Sequence, residues 1–483
     1  MYSEISREDK SLRPYQQQAK EEIFAAWDEY ENVMFQMPTG TGKTRLFTSI
    51  ISDIKAWGIL NSVDTKILII AHRIELIEQI SESLAKYRIP HGVIAGGKER
   101  DLRQHVQVAS IQTITHHTNI NAAQALNVNF IIIDEAHHSM ANSYKKLWTM
   151  YEGAKKLGVT ATPWRMNHSG FRSIYDTLIL SKPIKDFISE GWLSPYNYFS
   201  IQDKSALQRE INSIEEFDVE GDYKVSALER VVDTSHIRAQ LLDSYNKYAK
   251  GKKGIIYSIS RKHSDHICAE YKEAGVNIVR IDSMTPRDER RLYVSRFKKG
   301  LIDIIVNVDI FSEGFDCPDI EFVQLARPTK SLVKYLQQVG RGLRPTENKS
   351  RCIILDNVGL HIAFGLPDAD RDWDADFVGE PQTKKNSVGG GGNSGSSDYL
   401  EPSYDEGSDE MCLIQSAAES SKNNDMAPEP LSISEEDLKL LTTLYVDKHC
   451  TLDMLEVIFK LPQSYLTEVL REQGLLTEPS DQE

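Results

Sequence analysis

The apolar, strand-type run from Val33 to Met37 stops at Pro38, Thr39, Gly40, Thr41, Gly42, Lys43 and Thr44, and an apolar pattern of helical spacing resumes from Leu46. Few features restrict a fold so tightly. A strand, a glycine turn ending in Gly-Lys-Thr and a helix together describe a phosphate-binding P-loop. Glycine lets the backbone turn sharply, so that successive N–H groups and the helix N-terminus face phosphate oxygens. Lys43 then reaches the β- and γ-phosphates, and the Thr44 hydroxyl can hold Mg²⁺. The full pattern asks for glycine at position 37, where this chain has methionine.

Apolar runs without polar alternation recur down the first half, at Ile67 to Ala71 and Phe130 to Ile133, and another strand-and-helix unit ends in Val106 to Thr113. Such runs are typical of parallel strands covered on both faces, and strands alternating with helices make an α/β sheet whose ligands sit at the strands' carboxyl ends. Before the first of them, Leu12 to Gln16 leads through Pro14 into an amphipathic helix. Asp134 and Glu135 follow the last run directly, at the edge that must also carry the P-loop if both belong to one sheet. Placed there, Asp134 would hold Mg²⁺ through water, and Glu135 would orient or deprotonate the water attacking the γ-phosphate. The plainer alternative is an acidic pair capping the next helix.

With 483 residues the chain has room for about three domains. No apolar run approaches the roughly 20 residues of a membrane span, and the polar N-terminus lacks a signal peptide's apolar core, so a cytoplasmic protein without membrane contact is expected. The five cysteines are far apart, which fits reduced, mostly buried thiols better than zinc or disulfides. His72, His116, His117 and His138 show no recurring ligand spacing and are expected to be structural or exposed. Residues 366–483 hold 26 acidic and 8 basic side chains, so the net −15 belongs to this tail and the rest carries +3. A nearly neutral body can still line one groove with Lys and Arg for an anionic polymer.

The residues together carry a family resemblance. The P-loop, Ala71 to Arg73, Ser110 to Thr113, Asp134 to His137 (a DEAH box) and Thr160 to Pro163 are similar to the first motor domain of a superfamily 2 helicase or translocase. Gly254 to Ser260, Val306 to Pro318 and Gln337 to Pro345 resemble the second, the last stretch being the most specific match. The opening Leu12 to Gln16, with Thr160 to Trp164 and Gly314 to Pro318, is closest to the type III restriction-helicase (Res) and RadD-like branch. The resemblance spans about residues 12–365 and implies two tandem RecA-like parallel-sheet domains, 1–190 and 191–365. It implies adenine reading near Arg13 and Gln16, phosphate binding by Thr39, Gly40, Thr41, Gly42, Lys43 and Thr44, and metal and water handling by Asp134 and Glu135. Coupling would run through His137, Thr160, Thr162 and Gln337, while Gly314 and Asp316 would touch the nucleotide from the second domain. Arg341 and Arg344 would approach the γ-phosphate, neutralising the transferred phosphoryl group only when that domain closes.

A nucleic-acid strand is expected across both domains, contacted by Arg73, Ser110, Gln112 and Thr113 on the first and Arg261, Lys262, Thr285 and Lys330 on the second. Beyond the motor, residues 366–429 read as an acidic, Gly/Ser-rich flexible linker. Residues 430–483 read as a small module of three helices, capped near Ser434. Its helix-turn-helix look is offset by Glu468 and Glu472 beside Arg471, poor chemistry for a DNA groove, so it is expected to dock a protein. The sum is an ATP- and Mg²⁺-dependent nucleic-acid helicase or translocase acting on DNA ahead of RNA, in repair, recombination or defence against foreign DNA. The alternatives are a nucleotide-switched clamp that separates no strands, or the motor subunit of a restriction complex whose nuclease lies elsewhere.

Overall fold

The computed structural model of the protein describes residues 2–119, 123, 126–311, 317, 319–347, 349–380, 411–416, 433, 435–446, 450–459 and 461–476. Two seven-stranded sheets form two lobes. In lobe one the strands are β1 (Asn32–Gln36), β2 (Ile67–Ala71), β3 (Gly92–Ile94), β4 (Val106–Ser110), β5 (Phe130–Asp134), β6 (Lys155–Thr160) and β7 (Thr177–Leu180). Their order is β3-β4-β2-β5-β6-β1-β7, all parallel. Every residue of β2 and β5 is buried, because helices cover both faces of the sheet. The order puts the ends of β5, β6 and β1 side by side, so Asp134, Thr160 and the P-loop share one stretch of the carboxyl edge. The ends of β2 and β4, with Arg73 and Ser110, lie further along that edge.

On one face, helix α1 (Pro14–Glu29) packs against α2 (Lys43–Asn61), the helix that leaves the P-loop. A fully buried ion pair fastens them, Lys20 Nζ to Asp53 Oδ2 at 2.8 Å. Helix α3 (Ile74–Lys86) follows β2, directly after Arg73.

Lobe two comprises β8 (Tyr196–Ser200), β9 (Gly254–Tyr257), β10 (Ile278–Ile281), β11 (Ile304–Asn307), β12 (Phe322–Leu325), β13 (Cys352–Asp356) and β14 (Cys412–Ser416), in the order β10-β11-β9-β12-β13-β8-β14. All pairs are parallel except β14 on β8. The helix Leu332–Gly342 follows β12 and is buried along most of its length, so it reaches the interlobe cleft as a rigid rod.

The chain passes between the sheets in 181–195 and returns at 365–372. Phe364 stacks on Tyr335 of lobe two at 5.6 Å, and the helix Trp373–Val378 then packs on lobe one, where Phe377 joins the core and its carbonyl accepts the Phe171 N–H at 2.7 Å. Two parts of the expected linker at 366–429 are described, and 381–410 and 417–429 lie outside the described residues. Residues 366–380 hook back onto lobe one, and β14 arises because edge strand β8 offers it free backbone groups. The Tyr248 hydroxyl adds a bond to the Met411 carbonyl at 3.0 Å.

The C-terminal helices Glu435–Val446, Leu452–Phe459 and Gln463–Glu472 form a small cluster that continues onto Ala56, Ile59 and Leu60 of α2. The Arg88–Glu456 ion pair (2.6 Å) and the Arg7 guanidinium on the Ile458 carbonyl pin the docked face. Thus the module expected to dock a protein docks on this chain's own first lobe. Ser434, its expected cap, lies outside the described residues. Among the described residues no helix is long and apolar enough to cross a membrane.

Candidate functional site

The P-loop turns on Gly40 and Gly42, whose φ values of +91° and +92° lie in the left-handed region that side chains resist. The loop is braced from within, the Thr41 hydroxyl donating to the Pro38 carbonyl at 2.7 Å. It is also braced from α1. Gln16 Nε2 donates to the carbonyls of Thr41 (3.0 Å) and Gly42 (3.3 Å), and its Oε1 accepts the Arg13 N–H (3.0 Å). The Tyr15 hydroxyl donates to the Thr41 carbonyl at 2.8 Å. Gln16, expected to read adenine, is thus buried as a brace of the loop. Arg13 stays at the rim, its guanidinium 5.0 Å over the Trp192 ring. Met37 causes no distortion where the pattern has glycine. Its N–H continues the ladder to the Thr160 carbonyl at 2.9 Å and its side chain is fully buried.

Asp134 and Glu135 are both buried beside this loop. Asp134 Oδ1 accepts the Glu135 N–H at 3.0 Å. Glu135 adopts φ +50°, an uncommon conformation for a side-chain-bearing residue and of the kind that clusters at functional sites. Its Oε2 lies 3.4 Å from His137 Nδ1, and the same nitrogen is 3.1 Å from the Thr160 hydroxyl. Thr160 Oγ1 in turn accepts the Thr162 N–H at 3.2 Å. A chain of contacts therefore joins the ends of β5 and β6. The rings of His137 and His138, and those of His138 and His72, lie 4.2 Å apart between centroids in tilted contact, extending the chain to the end of β2. Burial pulls the Lys43 ammonium below its ordinary pKa. Glu135 and Asp134 oppose this, while Arg341 and Arg344 reinforce it. Four charges from the two lobes therefore act on the Lys43 ammonium.

The two arginines come from the helix Leu332–Gly342 and the turn after it. A Cβ on Gly340 would sit 2.7 Å from Thr39 Cβ, and one on Gly40 would sit 3.2 Å from Arg344 Cγ. Glycine at both places lets lobe two press against the P-loop. Gln337 is buried on the same helix. Gly314 and Asp316 lie outside the described residues.

The expected nucleic-acid contacts are less uniform. Arg261 and Lys262 are exposed. Ser110 donates to Gln112 Oε1 (2.7 Å), Gln112 Nε2 to the His72 carbonyl (3.1 Å), and the Thr113 carbonyl accepts Asn119 Nδ2 (2.8 Å). Thr285 Oγ1 accepts the Asp282 N–H at 3.0 Å. Arg73 reaches across the cleft to the Asp309 carbonyl at 2.9 Å. The Lys330 ammonium lies 4.3 Å over the Phe217 ring, and its N–H donates to Asp222 Oδ1 at 2.8 Å. Tyr15 and Trp192 escaped sequence reasoning, although Tyr15 sits between Arg13 and Gln16. Nothing local to Asp222 signals its partners at 329–334.

Among known proteins, a family model described as the type III restriction enzyme res subunit matches residues 9–165, and one described as the helicase conserved C-terminal domain matches 236–346. A 51.5 kDa protein of a Lactococcus phage is 34% identical over 346 residues, 72% of this chain and 70% of its own. The Saccharomyces cerevisiae protein IRC3, named as a candidate ATP-dependent helicase, is 28% identical over 72% of this chain; the chain spans about half (51%) of its length. In fold, a fragment of a candidate HsdR subunit of a type I restriction enzyme from Vibrio vulnificus superposes with a TM-score of 0.59 at 22% identity, covering 79% of this chain and 69% of its own.

Proposed function

Because the chain belongs to the superfamily 2 helicases, in the Res-like branch, we propose that its ATP hydrolysis drives movement along a nucleic-acid backbone, with DNA as the track. The observation that carries the reading is the approach of Arg341 and Arg344, from one lobe, to the Lys43 loop of the other. A guanidinium delivered from a second body stabilises phosphoryl transfer only while the cleft is shut, and such a finger is worth about 10³–10⁵ in rate. Turnover is thereby tied to domain motion.

The residues divide the work. Lys43 and the loop's backbone N–H groups hold the β- and γ-phosphates, with Gln16 and Tyr15 keeping the loop in shape. Glu135 takes the proton of the attacking water, and His137 beside it holds that carboxylate in position. Oxygen donors at Thr44 and Asp134 suit Mg²⁺, which when bound would neutralise charge on the phosphate oxygens. Arg341 and Arg344 meet the charge that builds on the γ-phosphoryl group. Thr160, in contact with His137, and Thr162, bonded to Thr160, relate the state of the phosphate to the far edge of the sheet, where Arg73 and Gln112 lie.

Contacts of hydroxyl, amide and guanidinium groups with sugar and phosphate read no bases, so binding should tolerate any sequence and weaken with salt. The test is ATP hydrolysis against single-stranded, duplex and forked DNA and RNA, followed by strand displacement. Stimulation by DNA supports the reading. Hydrolysis indifferent to every nucleic acid overturns it. A second reading, a motor subunit of a restriction complex, is favoured by the res-subunit match over 9–165 and predicts copurification with a nuclease subunit.

A further inference from the structure

Two helices meet on the edge of the cleft that carries Arg73 and Thr285. Helix α3 opens right after Arg73 and places Glu75 and Glu78 one turn apart; the helix Arg287–Lys298 opens just after Thr285 and places Arg287 and Arg290 one turn apart. The four side chains pair across the lobes. Arg290 Nη1 bonds Glu75 Oε1 at 2.7 Å, and Arg287 contacts the Glu78 carboxylate, which also takes Lys98 Nζ at 3.0 Å. These pairs are over 200 residues apart in sequence, and neither belongs to the nucleotide pocket.

Three features set them apart from ordinary surface ion pairs. The arginines stand in the first turn of their helix, where the macrodipole disfavours cations, so helix stability does not explain them. Each meets its glutamate through one nitrogen, although a guanidinium can engage an anion with two; Arg290 Nη2 makes only a long 3.5 Å contact with the Asp282 carbonyl, and its buried Nε makes no hydrogen bond. The pairs are also reachable from solvent, the Arg287 side chain being 54% exposed and Glu75 36%. They form a half-used anion site beside Thr285, two residues from the expected backbone contact in each lobe.

Resting on the nucleic-acid reading above, we propose that Arg287 and Arg290 bind the phosphate backbone of the translocated strand, and that Glu75 and Glu78 occupy both guanidiniums until phosphate displaces them. The exchange makes and breaks no covalent bond. It trades two carboxylates of lobe one for two phosphates of the strand, so a strand entering the cleft also releases an interlobe clasp. Opening of the lobes on that edge and loading of nucleic acid become one event.

The test titrates the full chain with fluorescein-labelled oligothymidine, followed by anisotropy at several KCl concentrations. The E75Q/E78Q variant should bind more tightly than the unaltered chain. The R287Q/R290Q variant should bind at least about tenfold more weakly, with a log–log salt slope shallower by about 1.4, as loss of two phosphate contacts on a single strand requires. In the quadruple variant the carboxylate change should have no further effect. Melting curves check that each variant is folded. Unchanged affinity and slope in R287Q/R290Q, or a carboxylate effect that persists in the quadruple variant, overturns the proposal while leaving the motor reading intact. Failure of the unaltered chain to bind oligothymidine, duplex DNA or RNA overturns that reading, and the clasp with it.

Discussion

Lys43 is the residue on which four others converge, and its substitution separates chemistry from folding. Its ammonium is withdrawn from water among charged groups and the Met37 carbonyl rather than into the apolar core, so Lys43→Ala should remove ATP turnover while the melting temperature stays within a few degrees; undiminished hydrolysis in a folded variant would remove the lysine from the site. Glu135→Gln keeps shape and removes the carboxylate proposed as the base. It should bind ATP normally and hydrolyse it about 10²–10⁴ times more slowly, which single-turnover measurements would read directly. Arg344→Ala tests the cross-lobe contribution: a fall of about 10³ or more in turnover with nucleotide affinity little changed is expected, and loss of binding alone would give the arginine a grip on the ground state instead. These proposed roles are legible in the sequence because Gly-Lys-Thr, Asp-Glu and the paired arginines are short chemical patterns whose spacing such a reaction would dictate. Gln16 is less legible. Adjacency to the motif points to it, yet its amide serves two backbone carbonyls of the loop, and only the packing of α1 on α2 brings it there.

At the scale of elements, the strands could be read because full burial removes polar alternation, as Ile67 to Ala71 and Phe130 to Asp134 illustrate. Strand β14 could not: Cys412 to Ser416 is a short run inside an acidic stretch and is a strand only because β8 has an open edge. The α1–α2 contact likewise hides its strongest fastening. Lys20 and Asp53 are both fully buried, and removing one partner strands the other, so Lys20→Met should cost about 3–5 kcal/mol and the double variant Lys20→Met with Asp53→Leu considerably less; equal losses in the two would show that the charge is not what matters. The helix Arg261–Glu273 carries a pH response. His263 is buried, and desolvation lowers its pKa to about 4. The unfolded chain takes up a proton near pH 6.5 while the folded chain refuses it until about pH 4, so this residue makes stability fall progressively as pH drops through that window, by about 3 kcal/mol in full. Melting from pH 7.5 to 5 should show the decline, and His263→Asn should flatten it; an equal decline in the variant assigns it to other groups.

Across the whole molecule, the tail does more than trail behind the motor. Each family match ends by residue 346, yet the chain goes on to bind both lobes: 366–380 returns to lobe one, β14 closes the sheet of lobe two, and the C-terminal helices settle on α2. Composition hid this, because apolar residues such as Leu441, Leu455 and Leu466 are sparse in an acidic tail and their partner surface is more than 370 residues away. That surface is the far half of the helix that begins at Lys43, so the module braces the P-loop helix from the end opposite the phosphates. Deleting 417–483 would uncover Ala56, Ile59 and Leu60 and release Arg7 and Arg88 from their partners. Re-exposing two large aliphatic side chains costs about 2 kcal/mol at least, which for a lobe of this size lowers the melting temperature by about 4–8 °C. Hydrogen exchange should quicken along 54–61 and stay slow in β2 and β5, since the loss is local to one helix. The single change Leu455→Asp should reproduce both effects by putting a charge into the docked cluster, where Leu455 is fully buried. If the truncated chain melts as before and exchange along 54–61 is unaltered, the module contributes nothing to lobe one and its apolar face is held for another protein.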